Sequence, residues 1–97
     1  MNKVYVYKEY GIYDYDEFCT IKVFKDLDKA KEYMQKQVEY ELGCLVENGC
    51  KIKDDYADCE EDDMLITVHT DTNFQIYRYG YGCTYTMNIK VDEMELI

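Results

Sequence analysis

Six apolar residues, Leu27, Ala30, Met34, Val38, Leu42 and Leu45, recur at spacings of 3, 4, 4, 4 and 3. That period draws one apolar stripe down an α-helix. A lone amphipathic helix cannot bury its stripe against itself, so the remaining segments must supply the opposing layer. Asp26 stands where an N-cap belongs, and Asp28 places negative charge in the first turn. Gly43 offers one stop, but Leu45 and Val46 continue the stripe toward a second stop at Asn48-Gly49. The later stop is preferred, which predicts a helix over about Asp26–Val46.

The flanking segments carry the period of strands. Lys3–Tyr10 alternates Val4 and Val6 against Tyr5 and Tyr7, and Phe18–Lys25 alternates Cys19, Ile21 and Val23 against Thr20 and Lys22. With the turn-like GIYDYDE between them they read as a hairpin. Met64–Asp71 and Phe74–Tyr79 read as two more strands, joined at TDTN, and GYG (Gly80–Gly82) as a tight turn. The last strand sets Cys83, Tyr85, Met87, Ile89 and Val91 on one face. Beyond Val91 the apolar phase slips to Met94 and Leu96, which predicts a bulge or strand end near Asp92-Glu93. By alternation, His69 shares a face with Leu65, Thr67 and Asp71. The expected fold is therefore a single α+β domain over residues 1–97, in the order β-β-α-β-β-β. Its five-stranded, mainly antiparallel sheet carries the helix on one face.

Several function classes are disfavoured by composition. No apolar run is long enough for a transmembrane helix, and MNKVYVYKEYG lacks the apolar core of a signal peptide. A cytoplasmic protein is expected. Five cysteines without CxxC spacing read as free thiols. Cys44, Cys50, Cys59 and His69 do not have the spacing of a zinc knuckle. DDYADCEEDDML lacks the glycine and final glutamate of an EF-hand loop. No nucleophile elbow, P-loop, HExxH or GxGxxG is present, and the one histidine, His69, has no cysteine placed beside it by spacing. No catalytic residue, metal or cofactor is expected, and the chain reads as a non-enzyme.

Charge is the strongest functional signal. Of a net charge of −10, residues 1–53 carry −1 (9 basic, 10 acidic) and residues 54–97 carry −9 (2 basic, 11 acidic). Such a surface repels DNA, RNA and acidic lipid and calls for a basic partner. The centre of the charge is DDYADCEEDD: Asp54, Asp55, Asp58, Glu60, Glu61, Asp62 and Asp63, with Tyr56 and Cys59 among them. As a helix, this run would carry about one charge per 2 Å, close to duplex DNA at ~1.7 Å. Extended, it would carry about one per 4.7 Å, nearer a single strand at ~3.4 Å. The second signal is aromatic. Of twelve tyrosines, Tyr77, Tyr79 and Tyr81 lie on one side of a strand, and Tyr5 and Tyr7 on one side of another. Tyrosine is both a favoured sheet residue and an interface residue.

KVYVYKEYG followed by TIKVFKDLDKAKEYMQKQ, within the first forty residues, resembles small proteins encoded by phages and mobile elements of low-GC Gram-positive bacteria. Anti-CRISPR inhibitors are the best-known small, acidic, non-enzymatic members of that group. The resemblance implies a phage protein that inhibits a basic nucleic-acid-binding protein of the host, such as a CRISPR effector. The partner-binding residues expected from the charge and aromatic signals are Asp54, Asp55, Tyr56, Asp58, Glu60, Glu61, Asp62, Asp63, Tyr77, Tyr79 and Tyr81; a homodimer is left open. The alternative is a protein that sequesters a signalling nucleotide in a tyrosine-lined pocket, with Lys3, Lys22 or Arg78 against the phosphate.

Overall fold

The computed structural model describes residues 2–80 and 85–96. The chain runs β1 (Asn2–Tyr13), β2 (Asp16–Phe24), α1 (Leu27–Glu47), β3 (Ile52–Lys53), β4 (Met64–His69), β5 (Asn73–Arg78) and β6 (Tyr85–Leu96). The architecture is α+β, as expected, but the sheet has six strands in the order β2-β1-β6-β5-β4-β3. The additional strand is β3, two residues pairing parallel with β4, so the sheet is mixed. A two-residue strand is too short to leave a periodic trace in sequence.

β1 and β6 form the backbone of the fold. They pair antiparallel over twelve consecutive residues, from Asn2↔Leu96 to Tyr13↔Tyr85, without a register shift. The apolar slip after Val91 is therefore neither a bulge nor a strand end. Met94 and Leu96 turn to the face away from the helix, and Glu93 and Glu95 occupy the other. The register depends on Gly11. A Cβ there would stand 1.9 Å from the Thr86 carbonyl oxygen and 2.9 Å from the Phe18 ring. Only hydrogen lets β6 approach so closely.

α1 begins as its sequence dictates. The Asp26 carboxylate accepts from the Asp28 N–H at 2.8 Å. Gly43 is passed within the helix, which ends at Asn48. The Asn48 amide donates to the Cys44 carbonyl at 2.8 Å, and Gly49 follows at φ +84°. The helix touches β1, β2, β3 and β6, crossing one face of the sheet from one edge to the other. Ala30, Met34, Val38 and Leu45 are buried there with Tyr7, Met64, Phe74, Ile76, Tyr85, Met87, Ile89 and Val91, while Leu27 and Leu42 are partly buried against them. Each large apolar side chain so buried contributes about 1.5–3 kcal/mol.

Tyr7, on a strand face left open between sheet packing and interface, belongs to this core, as does Tyr85. Tyr7 is fully buried, its ring edge-on to Tyr33 at 4.9 Å, and its hydroxyl donates to Glu9 at 2.8 Å. Burial, then Glu9, drives its phenol pKa far above the ordinary range. Tyr85, likewise buried, is pushed up to about 12, chiefly by desolvation. Glu41 projects from α1 into the same region. Partial burial, with Glu9 adding to it, raises its carboxyl above the usual glutamate range.

Two outcomes follow from this packing. Gly11→Ala forces β1 and β6 apart and should destabilise the protein by about 1–3 kcal/mol, as overpacking does; a melting temperature equal to wild type would mean that the close approach is absent. Glu41→Gln should raise the melting temperature at pH 7. A raised folded pKa means that the folded state holds the proton more tightly, so stability is lost as pH rises from the unfolded value through the folded one. The gain from glutamine should therefore shrink as pH falls through that window and vanish below it, as thermal melts across the acid range would register.

Candidate interaction surface

The acidic run is the connection between β3 and β4. It is neither a regular helix nor an extended row, so neither of the two charge spacings holds along it. Asp55 caps a single 3-10 turn, Tyr56–Asp58, by accepting from the Ala57 N–H at 3.0 Å. The chain then folds back on itself. Asp63 is buried, at 6% exposure, and its carboxylate accepts from the Glu60 N–H at 3.0 Å. Asp62 sits at φ +71°, a conformation that aspartate tolerates better than most residues. The connection is pinned to the end of β5 from both sides: the Asp62 N–H donates to the Tyr79 carbonyl, and the Tyr79 N–H to the Asp63 carbonyl, each at 2.8 Å. Gly80, at φ +108°, lies so close that a Cβ would meet Glu61 Cγ at 2.7 Å.

Two of the seven carboxylates, Asp55 and Asp63, are thus used in shaping the loop. Asp54, Asp58, Glu60, Glu61 and Asp62 are exposed, and none of the five forms an ion pair among the described residues. Tyr56 is 65% exposed and stands edge-on to Tyr79, ring centroids 5.3 Å apart. Their hydroxyls meet at 3.4 Å, and this bond is the main cause of the raised Tyr79 pKa. Partial burial, reinforced by Asp63, Asp55 and Asp58, pushes the Cys59 thiol up, which disfavours the nucleophilic thiolate. Tyr77 is half-buried on the face away from α1, opposite Leu65 and Thr86. Tyr81 lies outside the described residues, as does Cys83. Tyr56 and Tyr79 therefore join the acidic connection, and the expected tyrosine row reduces to that pair with Tyr77 beyond it.

A site that the sequence did not signal lies between α1 and the β4–β5 turn. This groove, of about 660 Å³, is floored by Met34 and Val38 and rimmed by Asp28, Glu32, Glu39, Asp71, Lys31 and His69. Lys31 and Asp71 close one side as an ion pair at 3.0 Å. His69 reaches the groove because the pairing of β4 with β5 shifts between Ile66 and Val68. The extra residue, Thr67, reverses the alternation. His69 therefore pairs with Phe74 and packs its ring against it at 5.1 Å, on the helix side. The expectation that it shares a face with Leu65 is corrected accordingly.

A second hollow, of about 630 Å³, contains one tyrosine, Tyr10. A third, of about 350 Å³, sets Arg78 beside Glu60, Glu61, Asp62 and Asp63, with the buried Arg78 Nε unpartnered among the described residues. None of the three hollows is lined by several tyrosines. Lys3 pairs with Glu93 at 3.6 Å and Lys22 stands 4.7 Å over the Tyr33 ring, so the three candidate phosphate ligands do not converge. Among the described residues, no three His, Cys, Asp or Glu side chains are grouped to hold a metal, and no helix is long and apolar enough to cross a membrane. No family model matches the chain, and neither a curated protein nor a solved structure is significantly similar to it.

Asp63 and Asp62 should respond oppositely to substitution. Asp63→Ala strands the Glu60 N–H and should cost about 1–3 kcal/mol. Asp62→Gly relieves a positive φ and should be neutral or slightly stabilising. Urea melts of the two variants check this; equal loss in both would mean that the loop is not held as described.

Proposed function

We propose that this chain is a non-enzymatic inhibitor that acts by binding. Its acidic connection occupies a basic nucleic-acid-binding groove on a host protein. The reading rests on one observation above all: five exposed carboxylates, Asp54, Asp58, Glu60, Glu61 and Asp62, project from a connection whose start and end are joined by the β3–β4 pairing and whose Asp62–Asp63 end is bonded to Tyr79. Held in place, they meet Arg and Lys side chains without the ordering cost that a mobile acidic tail would carry. Tyr56 and Tyr79 supply a rigid aromatic contact at the margin. The resemblance of the first forty residues to phage proteins makes a bacterial defence protein, a CRISPR effector in particular, the proposed target, met in the host cytoplasm. A nucleotide-sequestering role has weaker support, because carboxylates dominate the rim of the largest of the three hollows and oppose a phosphorylated ligand.

The quadruple variant Asp58→Asn, Glu60→Gln, Glu61→Gln, Asp62→Asn leaves the structural carboxylates Asp55 and Asp63 in place. It should melt like wild type or slightly higher, through reduced repulsion. In pull-downs from a bacterial host lysate, wild type should retain a basic nucleic-acid-binding protein and release it as salt is raised. The variant should retain none of it. Capture of the same protein by both, at low and moderate salt, would sink the proposal.

A further inference from the structure

The two edges of the sheet are built in opposite ways. The β3 edge is two residues long and is followed directly by the acidic connection. Short length and charge are the usual protections of an exposed strand edge. The β2 edge is long, and its charges are few and of mixed sign, Asp16 and Glu17 against Lys22. It is nine residues long, contains no proline, and pairs with β1 in unbroken register from Phe24↔Tyr5 to Asp16↔Tyr13. Among the described residues nothing pairs with its outer side, and α1 leads inward from it across β1 and β6 to β3. Ile21 and Val23 stand 57% and 62% exposed on the face away from α1. An edge strand of this length with its outer side unpaired is a template for another strand.

The sequence of β2 specifies which strand. Antiparallel pairing about Ile21, the residue after the strand's midpoint Thr20, sets Phe18 opposite Phe24 and Cys19 opposite Val23. It also brings Glu17 to Lys25, the residue that follows β2, each pair occurring twice by symmetry. Shifting the centre by one residue either loses the Glu17–Lys25 pair or places Lys22 opposite itself. Every pair within β2 keeps to one face: Phe18, Thr20, Lys22 and Phe24 on the helix side, and Cys19, Ile21 and Val23, with Glu17, on the other.

We infer that β2 is a homodimerisation strand: two copies join antiparallel through β2, centred on Ile21, into a continuous twelve-stranded sheet. The net charge of −10 does not oppose this, because the acidic connections then lie at the two far ends. Eleven strand spacings separate β3 of one copy from β3 of the other, about 50 Å. That is several times the screening length of about 8 Å at physiological salt. The inference is independent of what the acidic connection binds.

Sedimentation velocity of the full chain over a range of loadings tests it. A concentration-dependent monomer–dimer equilibrium is expected. Glu17→Lys, which sets two cations opposite each other, should raise the dimer dissociation constant by about tenfold or more. Lys25→Glu should do the same, and the double reversal Glu17→Lys/Lys25→Glu should restore it. Ile21→Lys places like charges on the symmetry axis and should give a monomer. All three positions are exposed in the single chain, so circular dichroism should show each variant folded. A wild-type protein that sediments as a monomer at every loading overturns the inference. So does a dimer that ignores both charge reversals but dissociates with Met94→Lys, since Met94 lies on the open face two strands in from the β2 edge.

Discussion

The twelve-residue ladder between β1 and β6 is the contact on which the remainder of the fold depends. It joins the two ends of the chain, Asn2 to Leu96, and sits near the middle of the sheet. β2 is held only through β1, and β5 meets that half of the sheet only through β6. The helix stripe is buried on residues these two strands present: Tyr7 from β1, and Tyr85, Met87, Ile89 and Val91 from β6. Because the ladder closes nearly the whole chain, its entropy cost falls early and its reward late, which slows folding relative to a helical bundle. Gly11 marks where that ladder tolerates no side chain at all.

Around this ladder the molecule is asymmetric in charge and in polarity. The acidic connection, the Asp62 turn and the Tyr56–Tyr79 pair gather beyond β4, where β3 ends the sheet. Apolar residues gather at β2 and on the open face of β1 and β6. Here seven of the eleven acidic residues in 54–97, those of Asp54–Asp63, lie at one end of the sheet. The structural carboxylates Asp55 and Asp63 convert part of that charge into local rigidity, through hydrogen bonds to backbone N–H groups that charge strengthens. The remaining carboxylates stay in water, where their desolvation costs nothing until a cation meets them.

The polar groups beneath the helix show the opposite economy. Tyr7, Glu41 and Tyr85 lie where burial raises the pKa, so their neutral forms are favoured and their charged forms are costly. The Tyr7–Glu9 bond at 2.8 Å satisfies one of these groups. It also anchors Tyr7 against Tyr33, tying β1 to α1 by an aromatic edge rather than by aliphatic packing alone.

The sequence by itself determined whatever depends on local period and local capping. The helix, its Asp26 cap and its Asn48-Gly49 stop were legible, because the 3.6-residue stripe and the capping side chains act within a turn or two. So were the strands alternating Tyr85, Met87, Ile89 and Val91 or pairing Phe74 with Ile76, because one face of each is buried throughout. Tertiary structure alone decided the rest. β3 exists only because Ile52 and Lys53 fall beside β4. His69 faces the helix because one residue, Thr67, is extra relative to β5. Tyr7 is core, although tyrosine on a strand face fits sheet packing and an interface equally well in sequence. Met94 and Leu96 continue β6 rather than breaking it, because beyond Val91 the apolar residues change faces while the pairing with β1 runs on. Each of these is set by the position of a neighbouring strand, and strand neighbours are separated in sequence by distances over which no local pattern carries information.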